Sequence, residues 1–483
     1  MVIDALKYQI LQQFGFVPTE EQGQALDAFA RFLTDRDPDA VMILRGSAGT
    51  GKTSLSGAIV RTLKAIRQKV MLLAPTGRAA KVFSLNSGCP AYTIHRRIYR
   101  EKSFAGVDGQ FNLNDNLFTD TLFMVDEASM ISNLGLGGGN FGSGCLLDDL
   151  VRFVYQGHND RLMLIGDKAQ LPPVGEEESP ALNRMMLEGY GLKVYECDLN
   201  EVLRQSQESG ILYNATVIRQ MITHDDITQL PLIRFKGFAD IVMMPGNELV
   251  ESLANSYYRV GQDETMVITR SNKRANIYNN GIRNMVLDRE DELSCGDMLM
   301  IVKNNYFWTE KERNEAKEAL NAIPPFLANG DRAKVLRVNR HMELYGFRFA
   351  TLLLQFPDYD NYEMSVTALL DTLQSEAPAL THEQQEQLFH GVEEDYQDVP
   401  LKADRMKAIR GDQYFNALQV KYAYAITCHK AQGGQWEHVY VDQGYMTDDM
   451  LTPDYIHWLY TAFTRAKDKL FLVNWPKTQT EQA

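Results

Sequence analysis

The residues best suited to chemistry sit in short polar stretches that follow apolar runs. Gly46, Ser47, Ala48, Gly49, Thr50, Gly51, Lys52 and Thr53 have the spacing of a phosphate-binding loop, and Ser54 continues it. Glycines let the backbone curl until successive N–H groups face phosphate oxygens, and a helix starting at Lys52 adds favourable partial charge. Lys52 is suited to neutralise the β and γ phosphates of ATP, and Thr53 to ligate Mg2+. Asp126 and Glu127 close the apolar run LFMV. Asp126 suits the metal, held through water; Glu127 suits the orientation and deprotonation of an attacking water, which favours hydrolysis over transfer. Gln170, in GDKAQLPP, stands at a strand end where a side chain can report the γ-phosphate. Gln22, in PTEEQ, carries an amide that can pair with adenine N6 and N7, although a helix N-cap at Thr19 accounts for the same residues.

Coupling hydrolysis to movement requires a second body that touches the γ-phosphate and then lets go. Arg204 in LNEVLRQS and Arg465 in YTAFTRAKDKL are the candidates, because a guanidinium there stabilises transition-state charge and draws two domains together. A further set suits a nucleic-acid backbone: Pro75, Thr76, Gly77 and Arg78 after one strand, Thr93 and His95 further on, and Thr427, His429 and Lys430 near the C-terminus. Hydroxyls, exposed N–H groups and a few cations make phosphate contacts that form and break without reading sequence. Helix caps at Thr93 and Thr427 and a packed His95 are the purely structural alternatives.

The elements that must position these residues are legible as short apolar runs ending in polar, Gly or Pro residues: AVMILRG, VMLLAPT, LFMVDE and LMLIGD. Alternating with helical stretches, they predict a doubly wound α/β domain whose ligands collect at the carboxyl ends of parallel strands. KVYECDL, TMVITRS, YAYAITCHKAQ, HVYVD and KLFLVN predict a second such domain, interrupted from about residue 330 by antiparallel strands that read as a small β-barrel. The expected division is 1–192, 193–329 with 415–483, and the insertion over 330–414. Residues 371–404 are polar and acidic and predict solvated helices, while the glycine-rich 133–144 predicts a mobile loop. Residues 97–120 predict a projecting β-hairpin, with Phe104 or Phe111 as a wedge against a base pair. Trp308 is a candidate base-stacking residue, with a core position as the alternative.

At 483 residues, two or more domains are expected. The net charge of −14 argues against a protein that coats nucleic acid non-specifically, so any contact must be a local basic track. The five cysteines are far apart and form no metal-ligand spacing, which predicts free thiols. Neither a signal-peptide pattern nor a long apolar run is apparent, so a soluble, cytoplasmic protein is expected.

In chain order, PTEEQ, GSAGTGKT, APTGRAA, TIHR, VDEAS, GDKAQLPPV, VLRQS, TCHKAQGGQW and YTAFTRAK resemble the motifs of superfamily 1 helicases of the RecD and Dda-like group, over nearly the whole chain. The resemblance implies two RecA-like domains with ATP between them, a hairpin insertion in the first and an SH3-like barrel in the second. It also implies 5′ to 3′ movement on single-stranded DNA, action at duplex forks and a monomeric motor. It assigns Gln22 to adenine, Lys52 and Thr53 to phosphate and Mg2+, Asp126 and Glu127 to metal and water, Gln170 to γ-phosphate sensing, and Arg204 and Arg465 to arginine fingers. A translocase that does not unwind shares the same motifs. An ATP-gated binding switch is a third reading, against which Glu127 and the two arginines argue. Nothing in the sequence distinguishes DNA from RNA, since that depends on meeting a 2′-OH.

Overall fold

The apolar runs become two parallel sheets and a barrel. The computed structural model describes residues 2–105, 108–135, 142–202, 208–224, 227–315, 323–324 and 326–481, with the backbone alone for residue 2 and within 101–110. Arg204, the Phe104 side chain and half of the glycine-rich stretch lie outside the described residues.

The first sheet has six parallel strands in the spatial order Ala91–Thr93, Lys69–Ala74, Thr121–Val125, Arg161–Gly166, Ala40–Gly46, Lys193–Leu199. Thr121–Val125 and Arg161–Gly166 are buried at every position. That is the consequence of covering both faces, and it explains why the runs read as continuous rather than alternating. Odd and even strand residues feed two separate cores: Met42, Leu44 and Met163 pack with Leu55 and Phe29 on one face. Ile43, Leu162 and Leu164 pack with Leu147 and Phe153 on the other.

Lys193–Leu199 pairs with Ala40–Gly46 along its whole length, Ala40 opposite Lys193 and Gly46 opposite Leu199. The expected boundary at 193 is therefore corrected to beyond Leu199. A run of strand-forming residues announces a strand, but the partner that decides its sheet lies far away in sequence.

The second sheet is also parallel, in the order Ala425–Thr427, Thr265–Thr269, Trp436–Asp442, Ala466–Val473, Ile241–Met244. The barrel is closed by Met298–Ile301, Arg332–Leu344, Phe347–Phe356, Tyr362–Leu369 and Leu418–Tyr422. Only the three long strands fall within the expected 330–414. Met298–Ile301 pairs with both Arg332–Leu344 and Leu418–Tyr422, so the strands that close the barrel flank the expected insertion on either side. Leu352, Leu354 and Val366 of the barrel share one continuous core with Val439, Leu459 and Leu470 of the second lobe.

The acidic segment is less solvated than expected. Its helices His382–Asp395 and Lys402–Arg410 bury Leu388, Val392 and Ile409 against Phe347 and Phe349 of the barrel. The expected hairpin is present as Tyr99–Ala105 paired antiparallel with Asp108–Leu113. Phe111, however, is no outward wedge: its ring lies 5.5 Å from Tyr306, which stacks on Phe326 at 4.8 Å. Trp308 is 3% exposed and donates its indole N–H to the Asn416 carbonyl at 2.9 Å, which makes it a core residue and not a base platform. The five cysteines are free. Among the described residues, no helix is long and apolar enough to cross a membrane.

Candidate nucleotide cleft and strand track

Strand Ala40–Gly46 runs out of the sheet into the phosphate-loop pattern, and helix Lys52–Ala65 starts directly after it. Gly49 and Gly51 both take φ 78°, left-handed backbone that a side chain would strain. The Thr50 hydroxyl donates to the Ser47 carbonyl at 2.8 Å and holds the curl. Next to the loop lies a cavity of about 240 Å³, lined from the first lobe by Ser47, Ala48, Gly49, Gly51, Lys52, Thr53, Asp126, Glu127, Asp167 and Gln170. Arg465, Gln435 and Lys467 line it from the second lobe. Gly46, Thr50 and Ser54 support the loop without lining the cavity.

The acidic wall has polar capacity to offer. Burial and the neighbouring Glu127 push the Asp126 carboxyl up to about 6, with Lys52 pulling the other way. Glu127 takes φ 53°, a conformation uncommon outside glycine, and its Oε2 is buried with no hydrogen-bond partner among the described residues. Gln170 is 5% exposed and its Oε1 is likewise without a partner.

Arg465 follows helix Pro453–Phe463 and is held as a fixed fork: Nε donates to the Thr461 carbonyl at 3.0 Å, Nη1 to the Gly434 carbonyl at 3.1 Å and Nη2 to the Thr464 hydroxyl at 3.2 Å. The same helix supplies residues that sequence reasoning missed. The Tyr460 hydroxyl accepts the Ala48 N–H of the phosphate loop at 3.0 Å and donates to Asp167 at 2.6 Å. Burial raises the Asp167 carboxyl above the usual carboxylate range. Thr461 accepts the Leu171 N–H at 2.8 Å, and Arg219 of helix Gly210–Thr223 donates to the Ser47 hydroxyl. Asp167 was legible as a carboxylate at a buried strand end, whereas nothing local marks Tyr460 or Arg219.

Gln22 is placed differently from the adenine role. It is 1% exposed, its Oε1 accepts the Thr19 N–H at 3.0 Å in a capping box, and its Nε2 donates to the Thr50 carbonyl at 2.9 Å. The capping alternative is the one realised, with the amide bracing the phosphate loop from behind.

The first-lobe track residues are largely engaged within the protein. Thr76 and Thr93 cap helices, accepting the Ala79 and Arg96 N–H groups at 3.2 and 3.4 Å. A Cβ on Gly77 would come within 2.6 Å of Asp331 Oδ1, so this residue faces the barrel; Pro75 precedes it, half-buried. Burial pushes His95 down to about 4, so it is neutral near pH 7, and its ring packs on Tyr99 at 5.7 Å. Arg78 reaches across to the second lobe, where Nη2 donates to the Gln435 carbonyl at 2.8 Å. In the second lobe, Thr427 precedes a short helix without a side-chain capping bond, and His429 is exposed. The Lys430 Nζ is buried with no partner among the described residues.

Residues 19–220 match the AAA domain family model, and residues 422–473 the UvrD-like helicase C-terminal domain model. The ATP-dependent RecD2 DNA helicase of Deinococcus radiodurans is 30% identical over 157 residues, covering 32% of this chain and 18% of that protein. An uncharacterized protein of Methanocaldococcus jannaschii is 33% identical over 171 residues, covering 33% of this chain and 14% of that one. The chain thus spans less than a fifth of the length of these two relatives. A crystal structure of a Bacteroides Pif1 helicase with ADP-AlF3 and single-stranded DNA aligns over 97% of this chain and 95% of its own, at 14% identity and a TM-score of 0.47. One matched segment carries the phosphate loop and the other carries Arg465, in the motif order of the sequence.

Proposed function

We propose that the chain is an ATP-driven motor that moves 5′ to 3′ on single-stranded DNA and unwinds duplex ahead of it. The observation that carries this reading is Arg465, a second-lobe guanidinium in the wall of the cavity that holds Lys52 and Glu127. A cation supplied by the other lobe stabilises charge on the transferring phosphoryl group and loses its partner once phosphate departs. Closure and relaxation of the lobes then follow the chemistry. Lys52 neutralises the β and γ phosphates, and Glu127 orients the attacking water and accepts its proton. Gln170 contacts the γ-phosphate, with Arg204 as the second finger.

Thr53 and Asp126 suit Mg2+, because a buried carboxylate pair beside Lys52 gains from further positive charge; the ion would supply neutralisation of the β and γ oxygens. DNA as the track and the 5′ to 3′ direction rest on the family, in which the Deinococcus relative is named as a DNA helicase.

Duplexes bearing a 5′ or a 3′ single-stranded tail test the proposal. ATP-dependent separation from the 5′ tail alone is the expected result. Hydrolysis stimulated by single strands without separation would indicate a translocase, and hydrolysis indifferent to DNA an ATP-gated switch. In the same assay Lys52→Ala is expected to lower kcat at least ~100-fold, through loss of the main cation on the transferred charge.

A further inference from the structure

Arg78 belongs to a segment expected at the strand, yet its guanidinium lies between the lobes. Its Nη2 donates to the Gln435 carbonyl at 2.8 Å, and its Cζ stands 4.4 Å from the centroid of the Trp436 ring. One residue earlier, the Gly434 carbonyl accepts from Arg465 at 3.1 Å. Arg465 and Gln435 both line the nucleotide cavity. Consecutive carbonyls of one short segment are therefore gripped by two arginines, one at the nucleotide cleft and one on the first turn of helix Gly77–Ser87.

The glycines of that segment are required by close approach. A Cβ on Gly434 would fall 2.6 Å from Trp436 Cη2 and 3.0 Å from Arg78 Nε. One on Gly433, which has φ 72°, would fall 3.0 Å from the Ala79 Cβ and 3.1 Å from the Thr76 hydroxyl. The backbone of 433–434 thus lies directly against the start of helix Gly77–Ser87. That helix is also tied to the barrel, because Lys81 donates to the Pro357 carbonyl at 2.9 Å.

We propose that Arg78 is a positioning residue: by clamping the Gln435 carbonyl and the Trp436 ring, it makes residues 433–435 a strut that carries the state of Arg465 to helix Gly77–Ser87 and to the strand held there. A close-packed segment pinned at both ends transmits displacement instead of absorbing it. The side chain must be arginine, since a planar guanidinium can stack on an indole while its edge donates to a carbonyl, and a lysine ammonium cannot do both. Arg78 Nη1 is buried without a partner among the described residues, and it is the atom that a direct phosphate contact would use. The two roles make opposite predictions.

The inference rests on the proposed motor activity. The full chain, Arg78→Lys, Arg78→Ala and Gly434→Ala are compared by ATP hydrolysis with and without saturating oligodeoxythymidine, and by oligonucleotide affinity across a salt series. Expected for all three variants is a fall of about tenfold in the ratio of DNA-stimulated to unstimulated kcat, within the range by which residues along such a connection alter coupling. KM for ATP and the salt slope of DNA binding stay as in the parent. Arg78→Lys retains charge and stem, which keeps the test valid if the alanine variant folds poorly. A salt slope smaller by about 1 with the stimulation ratio intact would make Arg78 a phosphate contact and overturn the strut. An equal fall in stimulated and unstimulated kcat would reduce it to a structural residue. A parent chain that DNA does not stimulate would overturn motor and strut together, whereas a stimulated parent matched by its variants would overturn the strut alone.

Discussion

The residues proposed to meet the strand are in opposite conditions in the two lobes. In the first, Thr76 and Thr93 already cap helices, Arg78 grips the other lobe and His95 is neutral. In the second, Thr427 makes no capping bond, His429 is exposed and the Lys430 ammonium is buried without a partner among the described residues. A phosphate meeting the first set must displace an internal hydrogen bond and gains only the difference, while one meeting Lys430 satisfies a group that has none. Similar residue types in matching motifs therefore need not grip alike, and the second lobe is expected to supply most of the side-chain hold.

The largest effect that can break this contrast comes from Lys430→Ala. Its affinity for single-stranded DNA should fall about tenfold and its salt slope by about 1, both read by fluorescence anisotropy, with His95→Ala changing affinity less than about twofold. Comparable losses from the two variants would erase the asymmetry. Next in size is a pH effect. Burial, with Lys421 nearby, pushes Lys430 down to about 8, and only the protonated amine attracts phosphate. Affinity should thus be constant below about pH 7 and weaken as pH rises through 8, a decline that Lys430→Arg should flatten because arginine stays charged. Smallest are the caps: Thr76→Ala and Thr93→Ala should each cost about 1 kcal/mol in denaturant melts. Thr427→Ala should cost less than about 0.5 kcal/mol while weakening DNA binding. A destabilised Thr427 variant would mean that its hydroxyl is engaged after all.

What was legible in the sequence was what is local. The phosphate loop needs a strand, glycines and a helix within a dozen residues, and Asp126 and Glu127 need only a buried strand before them, so spacing sufficed. Gln22 shows the limit: PTEEQ encodes both an amide near a nucleotide and an N-cap box, and only the path of the chain chose the box. Lys193–Leu199 reads as a strand but not as a member of the first sheet, and Met298–Ile301 carries too short a run to stand out as part of the barrel, because parallel pairing and closure join distant segments. Nothing local marks Tyr460, and its role at Ala48 and Asp167 exists only when two lobes meet. The same holds for Arg78, which reads from the sequence as a residue after a strand end and whose partner lies in the other lobe.

The barrel has no interior of its own, since Leu352, Leu354 and Val366 lie in the same apolar mass as Val439 and Leu470. Insertion and host are thereby welded into a single cooperative block, and heating should melt them in one calorimetric transition. Limited proteolysis should release no free-standing barrel. Under the proposed motor reading, a stroke of this lobe carries the barrel with it as rigid cargo.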